Sequence, residues 1–405
     1  MKRLLSITLM ILFAAVPVMA ESVFGPLGVG LWQQNGNARS VGLAGSDMAF
    51  SDSIYFAIDN PATWRSYGVT KYTVSFAANK VYASDYTGED IADNYVFPNA
   101  ALLLPFYKSF GLGFYYQALT DHDYLIHRSD TYDIEQPVDT LETYDLLRRV
   151  QGNGGMSRAG AVLAFQVLQK VDVGIGLDYY FGQLEELVTI DFQQGSFSRS
   201  GRYILHEING VGVNLGFTAH PSQNSAVSLT VRPPAMLDVA SSLTIQAGDS
   251  VGFADEQFEM PLSLGLGGYI DYGRLRTLAR INYTAWKESE HSIASEFEYD
   301  NSVDVGLGFE RIPLREPLVP WYEEATFRAG LRYQQHYVRA GGNPLYTYGA
   351  AVGMGMPIAY GRGVFEFALT YDMRGTVTDN LAKERIYGIQ IGISSTERWF
   401  VRRQR

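Results

Sequence analysis

The sequence predicts an all-β fold: a transmembrane antiparallel β-barrel of about 14 strands with an N-terminal plug in its lumen. Three observations predict it. Apolar residues recur at every second position along most of the chain. The chain is 46% hydrophobic, yet beyond residue 20 no run of 18 apolar residues could form a transmembrane helix. The links between alternating segments are mostly short, then long, in turn, as in barrels that cross a bilayer with tilted strands.

Composition narrows the function classes. Among 405 residues there are 41 Gly, 27 Tyr and 22 Phe, and only 19% are charged. The absence of Cys excludes a disulfide scaffold, Cys-based zinc or iron–sulfur sites and a thiol nucleophile. A net charge of −11 opposes generic nucleic-acid binding, which needs a basic face.

In chain order, residues 1–20 read as a secretory leader. Lys2 and Arg3 precede the apolar run Leu4 to Val16, and Val18-Met19-Ala20 is a small-residue cleavage pattern. Its removal leaves 30 basic against 43 acidic residues, a net charge of −13. In a Gram-negative bacterium this export, with the barrel pattern, leads to the cell outer membrane.

Residues 21–68 do not alternate. They are rich in Gly, Asn and Ser and are too long for a plain linker in a compact domain. A barrel this wide can be plugged from within, so this stretch is expected to be the plug.

Residues 69–395 are the expected barrel. Fourteen alternating segments fall at about 69–82, 98–107, 110–127, 156–168, 171–192, 203–219, 224–246, 257–271, 274–290, 301–312, 325–339, 345–359, 362–375 and 386–395. In one, Leu275, Thr277, Ala279, Ile281, Tyr283 and Ala285 alternate with Arg276, Arg280, Asn282 and Thr284, which puts charge on one face and apolar groups on the other. Many segments exceed the usual five or six residues of a globular strand. A soluble sandwich would bury the apolar face and expose the charged one, and a propeller would show a repeat of about 40–50 residues, which is missing here. Glycines at even spacing on the polar face, such as Gly265/Gly267 and Gly306/Gly308, thin the inner wall and let something approach the backbone. Residues 396–405 form a basic tail carrying Arg402, Arg403 and Arg405.

The lumen-facing set contains Arg158, Asp172, Asp178, Arg232, Arg276, Arg280, Asp304, Glu310, Arg328, Arg332, His336, Glu366, Asp372 and Arg374. One reading is a charge-balanced, wet interior that pairs with the plug. The other is a cationic spot at Arg276, Arg280, Arg328 and Arg332, because guanidinium binds carboxylate bidentately. In the long link 128–155, Asp139 and Glu142 could box the start of a short helix, Thr140 to Val150, whose stripe would be Leu141, Tyr144, Leu147 and Val150. That stripe could dock a greasy ligand or merely form a lid. No catalysis, metal or cofactor is expected. The six His lack zinc spacing, and neither a nucleophile elbow nor a phosphate-cradling loop is present.

The order NARSVGLAGSDMAFSDS followed by DNPATW resembles the N-terminal hatch of FadL-type outer-membrane transporters, including the TodX-like proteins. The residues that carry the resemblance are Arg39, Gly42, Gly45, Asp52, Asn60, Pro61 and Ala62. RINYTAWKES (Arg280 to Ser289) and the pair VRPPAML and FEMPLSLGLGGY are similar to further strands of that family. The resemblance implies passive uptake of hydrophobic solutes such as long-chain fatty acids through a barrel gated by the hatch, with lipid or a fatty acid-like molecule as partner. Outer-loop helices would form the first docking groove. PorV-like barrels, near relatives, imply an alternative: a docking or shuttle partner for protein secretion or surface attachment. The C-terminus departs from the pattern, since such barrels end on an aromatic residue that closes the last strand.

Overall fold

The computed structural model describes residues 22–34, 36–107, 109–135, 141–192, 199–245, 250–252, 256–289, 297–314 and 318–399. The expected leader, Asp139, Thr140, His291 and, in the tail, Arg402, Arg403 and Arg405 lie outside the described residues.

Fourteen antiparallel strands close into one barrel. They are β1 (Thr70–Asp85), β2 (Glu89–Tyr107), β3 (Phe110–Ala118, resuming at Tyr124–Glu135), β4 (Leu141–Leu168), β5 (Val171–Phe192), β6 (Ser200–Ser222) and β7 (Ser225–Arg232, then Ala235–Ile245). The second half comprises β8 (Ser250–Gly252, Glu256–Met260 and Ser263–Tyr272), β9 (Leu275–Thr284), β10 (Ser302–Arg311), β11 (Thr326–Ala340), β12 (Asn343–Ile358), β13 (Gly363–Arg374) and β14 (Ala382–Glu397). β1 and β14 pair from Thr70↔Glu397 to Asp85↔Ala382, which removes the free edge. Each of the fourteen expected segments contains a strand of the barrel, although the one over 274–290 ends at Thr284 and the one over 110–127 is interrupted. The last runs to Glu397, two residues beyond the expected end, so the tail begins later.

The pattern of exposure is inverted relative to a soluble protein. On β5 the outward Leu177 is 58% exposed while the inward Asp178 is fully buried. Along β9 the outward Ile281 and Tyr283 are exposed, whereas Leu278 faces in. Apolar side chains outside and polar ones inside suit a wall facing hydrocarbon.

The wall is uneven in height. β9 and β10 have 10 residues each, about what a tilted strand needs to span a bilayer. β4 has 28 residues, and its upper half pairs with both Tyr124–Glu135 and β5. The link expected over 128–155 is therefore largely strand, and the helix expected over Thr140 to Val150 does not form among the described residues. A strand puts Tyr144 and Val150 on one face and Leu147 on the other, so the expected stripe is split. The Pro-rich link after β10 contains a single helical turn, Trp321–Glu324, on the rim of short turns.

β3 is broken. Its lower part pairs with β2 as far as Asn99↔Gln117, and above that the described residues of β2 and β3 form no ladder. At the break, Thr120 and Asp121 instead pair with Trp32 and Leu31 of the segment that fills the barrel.

Candidate functional site in the barrel lumen

Residues 22–66 lie inside the wall in two layers. The upper layer is apolar. Phe24, Val29 and Leu31 pack with Leu119, Phe258, Trp286 and Tyr337. The Tyr337 hydroxyl accepts from Val29 N–H at 2.9 Å and donates to the Gly30 carbonyl at 2.7 Å.

The lower layer is ionic, and the Arg39-to-Gly45 stretch explains itself there. Asn37 caps a short helix, α1 (Ala38–Gly42), by accepting from Ser40 N–H. This turns Arg39, 1% exposed, toward the wall. Arg39 donates to Glu310 at 3.1 and 2.8 Å and to Asp47 at 3.1 Å. Glu310 also accepts from Arg328 and Arg276, each at 3.0 Å. Arg328 pairs with Glu366, which accepts from the Tyr55 hydroxyl at 2.6 Å. Phe50 lies between the guanidiniums of Arg39 and Arg276, at 4.2 and 4.0 Å from its centroid. Gly42 lets α1 approach Gly353 of β12, where an added Cβ would sit 3.1 Å from its Cα. Gly45 takes a φ of +76° against the Arg280 guanidinium.

The second half of the motif builds a turn at the barrel floor. Asp52 accepts from Ile54 and Tyr55 N–H, both at 2.7 Å. Asn60 caps the 3-10 turn Pro61–Trp64 by accepting from Ala62 N–H at 3.0 Å, and it donates to the Met48 carbonyl and to Thr218 on β6. Pro61 and Ala62 press on Gly174 of β5 and Gly216 of β6.

Between the layers lies a partly open cavity. Trp32, Leu119, Met260 and Trp286 line its upper part, and Arg158, Arg232, Arg280 and Arg332 line the rest with Asp59, Gln117 and Asp304. Asp59 accepts from Arg158 at 2.7 Å and from Arg232 at 3.2 Å. Arg232 also donates to the Asp59 carbonyl at 3.1 Å. Burial opposes the charged form of Asp59, but Arg232, Arg158 and Arg280, with a hydrogen bond from Gln117, hold its carboxyl below the usual carboxylate range. Arg280 pairs with Asp304, and Arg332 bridges Asp372 and Gln34. A second, smaller cavity lies on the other side of Gln33 and Gln34, lined by Asn94, Val96, Pro98 and Asp121 where β2 and β3 form no ladder with each other.

The four arginines expected as one cationic spot are thus divided. Arg276 and Arg328 are spent in the Glu310 network, while Arg280 and Arg332 line the cavity. The expected outer-loop set, Leu141, Tyr144, Leu147 and Val150, lies on β4 away from both cavities. Sequence reasoning missed Asp59 and Gln117. Asp59 lies in an aperiodic stretch, and its signal was a lone acid beside the Asn-Pro-Ala turn, opposite a wall rich in arginine. Among the described residues no cluster of His, Asp and Glu could hold a metal ion.

No curated protein matches this sequence. The fold is similar to solved outer-membrane proteins. A Pseudomonas aeruginosa FadL homologue aligns with a TM-score of 0.59 at 14% identity, covering 91% of this chain and 99% of that one. The Pseudomonas putida toluene transporter TodX aligns with a TM-score of 0.55 at 14% identity, covering 91% and 100%. The monoaromatic hydrocarbon channel CymD gives 0.52 at 14%, covering 92% and 99%. At this identity the likeness is one of fold, which the FadL-type resemblance anticipated. The family model that matches carries a different name, BamG, and it matches from residue 1 to residue 405, so this chain belongs to the BamG family.

Proposed function

We propose that this chain is an outer-membrane channel for passive entry of hydrophobic or amphipathic solutes such as long-chain fatty acids, with residues 21–68 as its hatch. The observation that carries the reading is the cavity between the two layers of the inner segment. Apolar side chains form its upper wall, and arginines paired with acids form its floor, an arrangement suited to an amphipathic ligand. The apolar outer face supports placement in a membrane. Among the solved proteins with this fold are a toluene transporter and a monoaromatic hydrocarbon channel, which supports a hydrophobic solute here. The stretch where β2 and β3 form no ladder with each other, flanked by the second cavity, offers a sideways exit into the bilayer.

Deleting residues 21–45 removes α1 and Arg39 and so unfastens the lower layer. Conductance of the protein in planar bilayers should rise several-fold, and an unchanged conductance would leave the hatch without a gating role. A second reading, a docking or shuttle partner for secretion or surface attachment, draws on the tall wall of β3 to β6. Native mass spectrometry of the extracted protein separates the two: co-purifying lipid supports transport, whereas a stoichiometric protein partner supports docking.

A further inference from the structure

Asp59 differs from the other acids around the main cavity. Asp178, Asp304 and Asp372 sit on wall strands β5, β10 and β13, while Asp59 belongs to the inner segment. Its carboxylate is 33% exposed, whereas Arg158 beneath it is 3% exposed. Its bonds run outward to the wall: Arg158, Arg232 and Gln117. A carboxylate on a guanidinium pair and an amide, below the apolar side chains of Trp32, Leu119, Met260 and Trp286, has the arrangement of a bound fatty-acid head group.

Charge makes the arrangement consequential. Arg158, Arg232, Arg280 and Arg332 are balanced by Asp59, Asp178, Asp304 and Asp372. An incoming anion would meet a neutral cage and make it negative unless one acid left. The wall acids are fixed in strands, so the one that can leave is Asp59. The Nε atoms of Arg232 and Arg280 are buried without a partner, which leaves donors unspent for a second anionic oxygen.

We propose that Asp59 is a built-in stand-in for the ligand head group, and that an anionic amphiphile displaces it from Arg158, Arg232 and Gln117, freeing the inner segment. The ligand is thereby a carboxylate with an apolar chain, and its charge is the trigger for hatch release. This rests on the transport reading above. The displaced Asp59 carries away the turn that contains Asn60 and Pro61, so ligand entry and loosening of the lower layer become one event.

The test compares laurate with dodecanol, equal in chain and different in charge, binding to full-length protein in nanodiscs at neutral pH. Asp59→Asn removes the competitor and should tighten laurate at least about tenfold, the scale of one charge-assisted hydrogen bond, while dodecanol is unchanged. Arg232→Gln should weaken laurate by about the same factor and again spare dodecanol. In the wild type, laurate and not dodecanol should expose residues 46–66 to protease. A laurate-to-dodecanol ratio equal to wild type in both variants overturns the proposal and leaves transport standing. Failure of both ligands to bind the wild type overturns the transport reading itself. Heat-modifiable gel mobility checks that each barrel is folded, and if Asp59→Asn does not fold, the Arg232→Gln ratio decides.

Discussion

Glu310 is the residue on which the lower layer turns, since three guanidiniums from α1, β9 and β11 converge on one carboxylate. Removing one member of a buried ionic network leaves the others uncompensated, at a cost of about 3–5 kcal/mol. Glu310→Gln should therefore lower the free energy of unfolding measured in urea by that amount, and so its midpoint, and Arg39→Gln added to it should recover part of the loss. An unshifted midpoint for the single variant would make the network dispensable. The sequence showed that Glu310, Arg328 and Glu366 face inward, because parity along a strand assigns the face. It could not show that Arg276 and Arg328 share Glu310 while Arg280 and Arg332 stand apart in the cavity. Height along the barrel and partner choice depend on how each strand is offset from the next, and no local pattern encodes that offset.

At the scale of the element, the outcome differs between strands and the segment they enclose. Strands were legible because period two is a strong local signal. Leu141, Tyr144, Leu147 and Val150 misled because a spacing of three mimics a helical stripe. The ladders offered on both sides by Tyr124–Glu135 and by β5 outweigh that stripe, since each pairs β4 along most of its upper half. The inner segment was legible by exclusion, as a long stretch without period, and its fit to the wall depends on absent side chains. Gly174 and Gly176 are inward neighbours on β5. A Cβ on Gly174 would overlap the backbone of Pro61, whereas on Gly176 it would find ordinary contacts of 3.4 Å and beyond. Gly174→Ala should dislodge the 3-10 turn and raise protease cleavage within residues 51–66, with the barrel intact on gels. Gly176→Ala should behave as wild type, and equal cleavage in the two variants would show that the turn is not held by this contact.

At the scale of the molecule, the wall is low at β9 and β10 and tall at β3 to β6, and the two rims differ in kind. The rim of two-residue turns carries residues 169–170, 223–224 and 273–274, and the opposite rim carries the long links. A strand of 28 residues at about 3.3 Å each is roughly 90 Å of chain, and even tilted it overruns a hydrocarbon core of about 30 Å. Short turns face the periplasm in outer-membrane barrels, so the excess of β4 would stand outside the cell. The chain has no Cys, so a single introduced thiol reports its own side of the membrane. Arg149 lies on the tall part of β4, and Lys170 lies in the turn between β4 and β5. Arg149→Cys should react with a membrane-impermeant maleimide on intact cells. Lys170→Cys should react only after the outer membrane is opened, and labelling of both on intact cells, or the reverse order, would invert the barrel. The same orientation puts the apolar layer of the inner segment toward the outside and the Arg39–Glu310 network toward the periplasm. A solute entering from outside would then reach the arginine cage from its apolar side, chain and head group in the order the cavity presents them.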